Sequence, residues 1–164
     1  MRLKLFDKIY NKRLIKHHNK EKESGNAVDK VIVKAKDNNV YIIEHFKYPD
    51  DYDVLSKGGK CYIIDNRMRD VCILKYMYKP KSINYSAHML LCDINIKRKN
   101  IGLGSIVIKI FEKRVVEIGA QYITGELSSI DELTEENKQL RKAFYIKHGY
   151  TIKDRKITKE LIKS

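Results

Sequence analysis

The sequence contains the stretch Lys97-Arg98-Lys99-Asn100-Ile101-Gly102-Leu103-Gly104-Ser105 at a change of periodicity, and this stretch says most about the fold. Residues 88–94 before it form an apolar run typical of a strand, whereas apolar residues recur at helical spacing over residues 104–119 after it. Glycines at a strand-to-helix turn let backbone amides approach a ligand closely, and a helix N-terminus offers unpaired N–H groups to an anion. Because three basic side chains precede the turn, the stretch predicts a phosphate-binding loop.

Two common phosphate-binding motifs do not fit this stretch. A P-loop needs G-x-x-x-x-G-K-[ST], and the sequence has no such run. A dinucleotide fingerprint needs a third glycine early in the chain, but Val107 holds that position and the stretch lies two-thirds of the way along. A plain loop with two turn glycines stays an alternative, since G-x-G alone is common.

The residues on the N-terminal side of the stretch predict a mostly antiparallel sheet. Short apolar runs are separated by turn residues such as Asp37-Asn38-Asn39 and Asp65-Asn66-Arg67, which is the pattern of β-hairpins. Polar residues from 47 to 60 and around Pro80 predict loops. The predicted strands are Val31–Val33, Val40–Ile43, Cys61–Ile64, Val71–Leu74 and His88–Ile94.

The residues on the C-terminal side alternate between helix and strand. Helices are expected over residues 104–119 and 128–147, the second with capping residues at its start and Gly149 after its end. Residues 120–124 and 150–152 have the composition of short strands. The sequence therefore predicts an α+β fold, in which helices pack on the faces of a mixed, mostly antiparallel sheet.

The first 26 residues are expected to form an appended basic amphipathic helix and a linker. Packing on the domain or on a partner is the commoner role of such a segment, and membrane-surface or nucleic-acid binding stays open. The length is that of one domain, so residues 1–164 are interpreted as a single domain. The apolar residues at helical steps are Leu3, Phe6, Ile9, Tyr10 and Leu14.

The composition excludes several classes of protein. Apolar residues make up 43% of the chain, which is enough for a core and excludes disorder over the whole length. No run approaches the ~18 apolar residues of a membrane helix, and the N-terminus lacks the apolar region of a signal peptide. Three cysteines without C-x-x-C spacing argue against disulfides and against a metal site. We therefore expect a cytoplasmic protein without a metal, with Cys61, Cys72 and Cys92 as reduced core residues.

The net charge of +13 is concentrated in two regions. Residues 1–36 carry a net charge of +7, residues 37–96 are neutral, and residues 97–164 carry +6. Excess positive charge favours nucleic acid or phosphorylated ligands. A general preference for lysine is the alternative explanation, because lysine outnumbers arginine about three to one and specific readers of nucleic acid rely on arginine. Nucleic acid is thus an open partner but not the favoured one.

Two motifs together resemble those of the GNAT superfamily of N-acetyltransferases. Lys99-x-x-Gly102-x-Gly104 is similar to the family's acetyl-CoA motif [RQ]-x-x-G-x-[GA], with lysine in place of the usual Arg or Gln. Phe144-Tyr145-x-Lys147-x-Gly149-Tyr150 is similar to its second signature, FYxKxGF. The order and spacing are also those of the family. The resemblance covers residues 60–152, whereas residues 1–59 match no family pattern.

The resemblance implies direct transfer of acetyl from acetyl-CoA to a primary amine that the sequence does not identify. It places Tyr145 as the general acid that protonates the departing thiolate, a role that suits a phenol with a pKa near 10. Ile94 falls where a backbone N–H polarises the thioester carbonyl. The residues that would contact the donor are Cys92, Asp93, Ile94, Lys99, Asn100, Ile101, Gly102, Leu103, Gly104, Ser105 and Asn137.

Other assignments stay open at this point. Glu126 is the first candidate for the general base, followed by Asp93 and Glu44, and each of them could equally be a surface carboxylate. Asn137 lies eight residues before Tyr145, whereas the family often places an asparagine at seven. The residues after Tyr150 leave little room for the family's final strand, so a second subunit, as in a homodimer, could complete the acceptor side. A non-catalytic protein that binds CoA, nucleic acid or a partner is the alternative function.

Overall fold

The computed structural model describes residues 29–47, 58–67, 69–83, 86–127 and 134–161 of the chain. The expected N-terminal helix and linker over residues 1–26 lie outside the described residues. So does most of the polar segment between residues 47 and 60.

One sheet organises the described residues. Its order is β1-β2-β3-β4-β5-β6-β8-β7, and all neighbours run antiparallel except β5 and β6, which are parallel. The mixed, mostly antiparallel sheet that the sequence predicts is therefore confirmed. The strands are β1 (Asp29–Lys34), β2 (Val40–Lys47), β3 (Gly58–Ile64), β4 (Asp70–Lys79), β5 (His88–Ile96), β6 (Tyr122–Glu126), β7 (Thr151–Lys153) and β8 (Lys156–Glu160).

The first five strands form a meander whose side chains alternate between the core and the other face. Asn38 adopts a left-handed conformation in the turn between β1 and β2, which confirms the first hairpin expected from the sequence. Cys61 and Cys72 are buried free thiols, as expected for core residues. The same expectation is wrong for Cys92, whose side chain is exposed on β5.

Helix α1 (Leu103–Glu117) connects the parallel strands β5 and β6 and packs on the face of the sheet. The apolar residues that recur at helical spacing face the sheet because they share one side of the helix. Phe111 is fully buried, and its ring lies 5.3 Å from that of Tyr76 on β4. The other buried apolar residues of α1 are Leu103, Val107, Ile108 and Val115.

Helix α2 (Glu135–Lys147) begins later than the sequence suggests. Thr134, rather than Ser128, is its N-cap, and the Thr134 side chain accepts a hydrogen bond from the backbone N–H of Asn137. Residues 128–133 lie outside the described residues. Gly149, with φ of 78°, ends the helix as expected because it adopts the left-handed conformation that follows many helices.

The end of the chain forms a hairpin, which corrects the expectation that too few residues remain for a final strand. Asp154 and Arg155 have φ of 46° and 66°, so a two-residue turn joins β7 to β8. β8 then pairs antiparallel with β6, with Ile157 opposite Gly125. Because this chain supplies the strand itself, the strand gives no reason to invoke a second subunit.

Gly125 is required where β5, β6 and β8 meet. A Cβ atom at this position would lie 2.8 Å from the backbone oxygen of Leu91 and 3.0 Å from the side chain of Ile157. We expect Gly125→Val to lower the free energy of unfolding by about 1–3 kcal/mol, measured by urea denaturation. The new side chain would clash with the backbone of Leu91, which cannot move aside as a side chain can. Thr124→Val, in the same strand, is the control and should change it little. Equal stability of the two variants would contradict the assignment.

Candidate active site

The parallel strands β5 and β6 stop pairing half-way along β5. Their register runs from His88 opposite Tyr122 to Leu91 opposite Gly125, while β5 continues to Ile96 paired with β4 alone. The N–H and C=O groups of a strand point alternately to its two sides. Some of those from Cys92 to Ile96 therefore point away from β4, into the gap that opens between β5 and β6. An extended ligand could pair with this open strand edge as an additional strand would.

A bulge lies at the point where the gap opens. Lys75 is opposite Asp93 and Tyr76 is opposite Leu91, so Cys92 is an extra residue in β5 without a partner in β4. Bulges bend a strand and re-aim its peptide groups, which helps to turn β5 away from β6. Cys92, Asp93 and Ile94 therefore lie on the part of β5 that no longer pairs with β6.

Cys92 is unsuited to act as a nucleophile, although its side chain is exposed. Partial burial of the thiol nevertheless raises its pKa, and the nearby Asp93 carboxylate adds to this, whereas Lys79 and Lys75 oppose it. The reactive form of cysteine is the thiolate, which a raised pKa disfavours at neutral pH. A covalent intermediate on Cys92 is therefore not favoured at this site.

Among the described residues, no side chain satisfies the free N–H groups at the start of α1. Gly102 is the N-cap, no side-chain hydrogen bond caps the helix, and the first turn contains no acidic residue. Helix α2 differs, because Thr134 caps it and Glu135 and Glu136 lie in its first turn. An uncapped N-terminus with a positive dipole end attracts an anion.

The two glycines of the loop have different structural roles. Gly102 has φ of 86°, a left-handed conformation that side chains other than glycine adopt at a cost. Gly104 is instead required for packing, because a Cβ atom there would lie 2.7 Å from the Ile96 side chain and 3.0 Å from the Phe144 ring. The second glycine therefore brings the start of α1 against β5 and α2.

Of the three basic residues that precede the loop, Arg98 has a structural role. Its guanidinium donates hydrogen bonds to the Tyr41 hydroxyl at 3.2 Å and to Asp65 Oδ2 at 2.9 Å. Asp65 is buried and also accepts from the Arg69 guanidinium at 2.7 Å. Burial alone would raise the pKa of Asp65, but the hydrogen bonds from Arg69 and Arg67 outweigh burial and hold it below its usual range. Lys99 remains exposed and available to a ligand.

A cavity of about 310 Å³ lies beside the start of α1. The turn between β1 and β2 closes one side of it, because the Lys36 N–H donates to the Ile101 carbonyl at 3.1 Å. The sequence gives no sign of this contribution, because residues 34–36 belong to the basic N-terminal third of the chain and lie far in sequence from Ile101. The cavity is lined by Lys34, Ala35, Lys36, Ile101, Gly102, Ser105, Ile106, Lys109, Lys147 and His148.

His148 forms part of the cavity wall. Its Nε2 atom lies 3.0 Å from Ser105 Oγ, within hydrogen-bond distance, which links the end of α2 to the start of α1. Burial lowers the pKa of His148, the nearby Glu112 carboxylate raises it, and the surrounding lysines lower it further. The imidazole is therefore mainly neutral at neutral pH and can share a proton with Ser105.

Tyr145 is buried at the end of α2, with its ring centroid 5.3 Å from that of Phe144 and 5.5 Å from that of Tyr150. Burial raises the pKa of Tyr145 to about 12, although Arg141 lowers it and the Asp93 carboxylate raises it. The phenol therefore keeps its proton at neutral pH. Asp93, whose carboxylate contributes to this shift, belongs to the half of β5 that does not pair with β6.

The described fold matches solved structures of acyltransferases over most of its length. The GNAT domain of S. lividans PAT superimposes with a TM-score of 0.57 at 9% sequence identity, covering 80% of this chain and 97% of that one. The chain has the GNAT fold. A cAMP-binding acyltransferase from Mycobacterium smegmatis matches with a TM-score of 0.56 at 9% identity, covering 98% of this chain and 53% of that one. The chain thus spans about half the length of the mycobacterial protein.

The evidence for the GNAT fold is structural. No protein-family model matches the chain, and no curated protein sequence matches it either. Within the described ranges, no helix is long and apolar enough to cross a membrane, and no three potential ligand side chains are grouped as a metal ion would require.

The GNAT fold places the remaining predicted residues at different distances from the gap. Glu126 is exposed at the end of β6, just beyond the last residue that pairs with β5. Asn137 is exposed in the first turn of α2. Glu44 is largely buried on β2, and β3 and β4 separate it from β5 by roughly 14 Å at ordinary strand spacing. The position of Glu44 argues against its role as a base.

Proposed function

We propose that the chain is an N-acetyltransferase that moves the acetyl group of acetyl-CoA directly to a primary amine. The observation that carries the proposal is the alignment of two features: the unpaired half of β5 leads, through a short loop, to the uncapped start of α1. The donor has matching chemistry, because its extended pantetheine arm carries amide groups and ends in a pyrophosphate. An open strand edge suits the arm, and a helix N-terminus suits the pyrophosphate.

Each end of the donor would be held by backbone groups. The N–H groups from Asn100 to Ser105 would bind the pyrophosphate, with Lys99 adding positive charge. The peptide groups of Cys92 and Asp93 would pair with the pantetheine arm. The Ile94 N–H would then donate to the thioester oxygen, on which negative charge grows as the carbonyl carbon becomes tetrahedral.

The reaction needs one proton removed and one supplied. The neutral amine nitrogen attacks the thioester carbon, a C–N bond forms, and the C–S bond then breaks with its electron pair moving to sulfur. Tyr145 would donate its phenolic proton to that sulfur as the C–S bond breaks. Glu126, at the rim of the gap, would accept the proton that the amine loses, through water where the acceptor keeps them apart.

Acetyl-CoA should raise the thermal midpoint of the protein, and Gly102→Glu should abolish the rise. A ligand at about 100 times its dissociation constant stabilises the native state by about 2.7 kcal/mol, or roughly 5–10 °C for a chain of this size. The glutamate brings negative charge to the proposed pyrophosphate site. The measurement is thermal unfolding with and without acetyl-CoA.

Gly119→Glu is the matched control for this prediction. Gly119 also has a left-handed φ, of 82°, but it lies beyond the opposite end of α1, where a Cβ atom would meet nothing within 4 Å. Both variants therefore carry the same backbone strain, and only Gly102→Glu should lose the rise. A rise that persists in Gly102→Glu would remove the donor from this loop, and no rise in the unmodified protein would overturn the enzyme proposal.

A further inference from the structure

An ion pair that the proposed reaction does not use joins α1 to β8. Lys159 Nζ lies 2.8 Å from Glu112 Oε2, and only 20% and 16% of the two side chains are exposed. In the described part of the chain, every other ion pair includes a side chain that is at least a third exposed. Removing two charges from water costs about as much free energy as their attraction returns, so stability alone does not account for the pair.

The ammonium group of Lys159 also binds the turn that ends α2. It donates a hydrogen bond to the His148 carbonyl at 2.7 Å, as lysines near a helix C-terminus often do. It lies 5.3 Å from the ring centroid of Tyr150, and a Cβ atom on Gly149 would be 3.9 Å from it. The ammonium group therefore lies against three consecutive residues, 148–150.

The same turn is hydrogen-bonded to the backbone of Tyr145. The N–H groups of His148 and Tyr150 both donate to the Tyr145 carbonyl at 3.0 Å. The rings of Tyr145 and Tyr150 meet edge to face, with their centroids 5.5 Å apart. A shift of the turn would therefore move the phenol of Tyr145. Since a proton donor must lie within hydrogen-bond distance of the atom that it protonates, a small shift would slow proton transfer.

We propose that Lys159 is a positioning residue: paired with Glu112, it holds the turn at residues 148–150 and thereby places the phenol of Tyr145 for proton transfer. The proposal rests on the proposed function and extends it to β8, a strand that supplies none of the reacting groups. Glu112 has a supporting role, because its carboxylate favours the charged form of the lysine and directs it at the turn. Lys159 acts through Tyr145 and does not contact the substrates.

Lys159→Met tests the proposal, because methionine keeps much of the aliphatic length but donates no hydrogen bond. We expect kcat to fall about tenfold, as a misplaced proton donor causes, while KM for acetyl-CoA changes by less than about twofold. Lys159→Arg can still donate to both partners and should keep kcat within about threefold. Lys153→Met, at an exposed position on β7, is the control and should also keep kcat. The measurement is release of free CoA, with a lysine-containing peptide that has a free N-terminus as the acceptor.

The double variant Glu112→Gln, Lys159→Met separates positioning from charge pairing. Lys159→Met leaves a nearly buried carboxylate without its cation, which destabilises the folded protein, whereas the double variant leaves neither charge. The double variant should therefore be more stable in urea than Lys159→Met but equally slow. Recovery of kcat together with stability would assign the effect to charge pairing alone and would overturn the proposal.

The ionisation of Tyr145 provides a readout that needs no acceptor. Burial raises the pKa of Tyr145 to about 12, and a looser turn would admit water and lower it. NMR of tyrosine-labelled protein, with Tyr145→Phe to assign the signal, should detect ionisation below about pH 11 in Lys159→Met but not in the unmodified protein. Loss of a cation by itself has the opposite effect, because it raises the pKa of a phenol.

The outcomes separate this proposal from the proposed function. If Lys159→Met leaves the ionisation of Tyr145 or kcat unchanged, the positioning role is overturned and the enzyme proposal stands. If the unmodified protein binds no acetyl-CoA, the enzyme proposal is overturned, and the NMR titration still decides whether Lys159 holds Tyr145 in place.

Discussion

Replacing Tyr145 by phenylalanine is expected to lower kcat for acetyl transfer by about 10²–10³-fold and to change the affinity for acetyl-CoA by less than about twofold. The phenol is buried near Asp93 and keeps its proton at neutral pH, because burial raises its pKa to about 12. Phenylalanine keeps the ring and its contacts but cannot protonate the departing thiolate. The measurement is steady-state release of free CoA, together with calorimetric binding of acetyl-CoA.

Tyr150→Phe is the matched control for the loss of a hydroxyl. Tyr150 is also buried, its ring contacts that of Tyr145, and its hydroxyl lies beside the Glu112 carboxylate. The control should keep kcat within about threefold. The pH profile adds a second readout: with a pKa of about 12, Tyr145 should cause no alkaline loss of kcat below about pH 10. Equal kcat in the two variants would remove Tyr145 from the reaction.

Asp65→Ala is expected to lower the free energy of unfolding by about 1–3 kcal/mol, because it removes a buried carboxylate and leaves its hydrogen-bond donors without an acceptor. Asp65 accepts hydrogen bonds from the side chains of Arg69 and Arg98 and from the backbone N–H of Arg67 and Arg69. Arg98 precedes the loop at α1, so the variant should also bind acetyl-CoA more weakly. Urea denaturation and calorimetry measure the two effects.

The acid side of the stability profile provides a further check on Asp65. Its pKa is lowered in the folded protein relative to the ordinary value of 3.8, so its stabilisation is present above that value. The stabilisation is lost as the pH falls through the folded pKa, and the difference between Asp65→Ala and the unmodified protein should shrink there. Asp70→Ala, an exposed carboxylate nearby, is the control and should be nearly neutral. A constant difference down to about pH 2 would contradict this account.

Local sequence signals predicted the parts of the fold that depend on neighbouring residues. The hairpin around Asn38 and the helix that buries Phe111 follow from turn residues and from helical spacing. The last hairpin was missed because Asp154 and Arg155 form its turn without a glycine, in a conformation that side chains adopt less readily. The exposure of Cys92 also depends on pairing, since its strand loses one neighbour beyond Leu91.

The candidate site likewise has parts that neighbouring residues predict and parts that depend on contacts between distant residues. The loop around Gly102 and the segment around Tyr145 stand out because each carries its signal in consecutive residues. The contribution of Lys36 could not be predicted, because the hydrogen bond that brings it to Ile101 joins residues far apart in the sequence. The spacing of residues predicts which side chains share one helix or strand, but it does not predict which residues of different elements line the same cavity.

The gap between β5 and β6 also affects how the molecule holds together. Within the described residues, β5 pairs with β6 from His88–Tyr122 to Leu91–Gly125 and no further, and this short ladder joins the meander of the first five strands to the other three strands. Few backbone hydrogen bonds therefore make the sheet a single cooperative unit at this seam. A donor lying in the gap would bridge both sides. Its binding energy would then couple the unfolding of two parts of the sheet that otherwise open more independently. The bound donor would in this way contribute to the cooperativity of the fold.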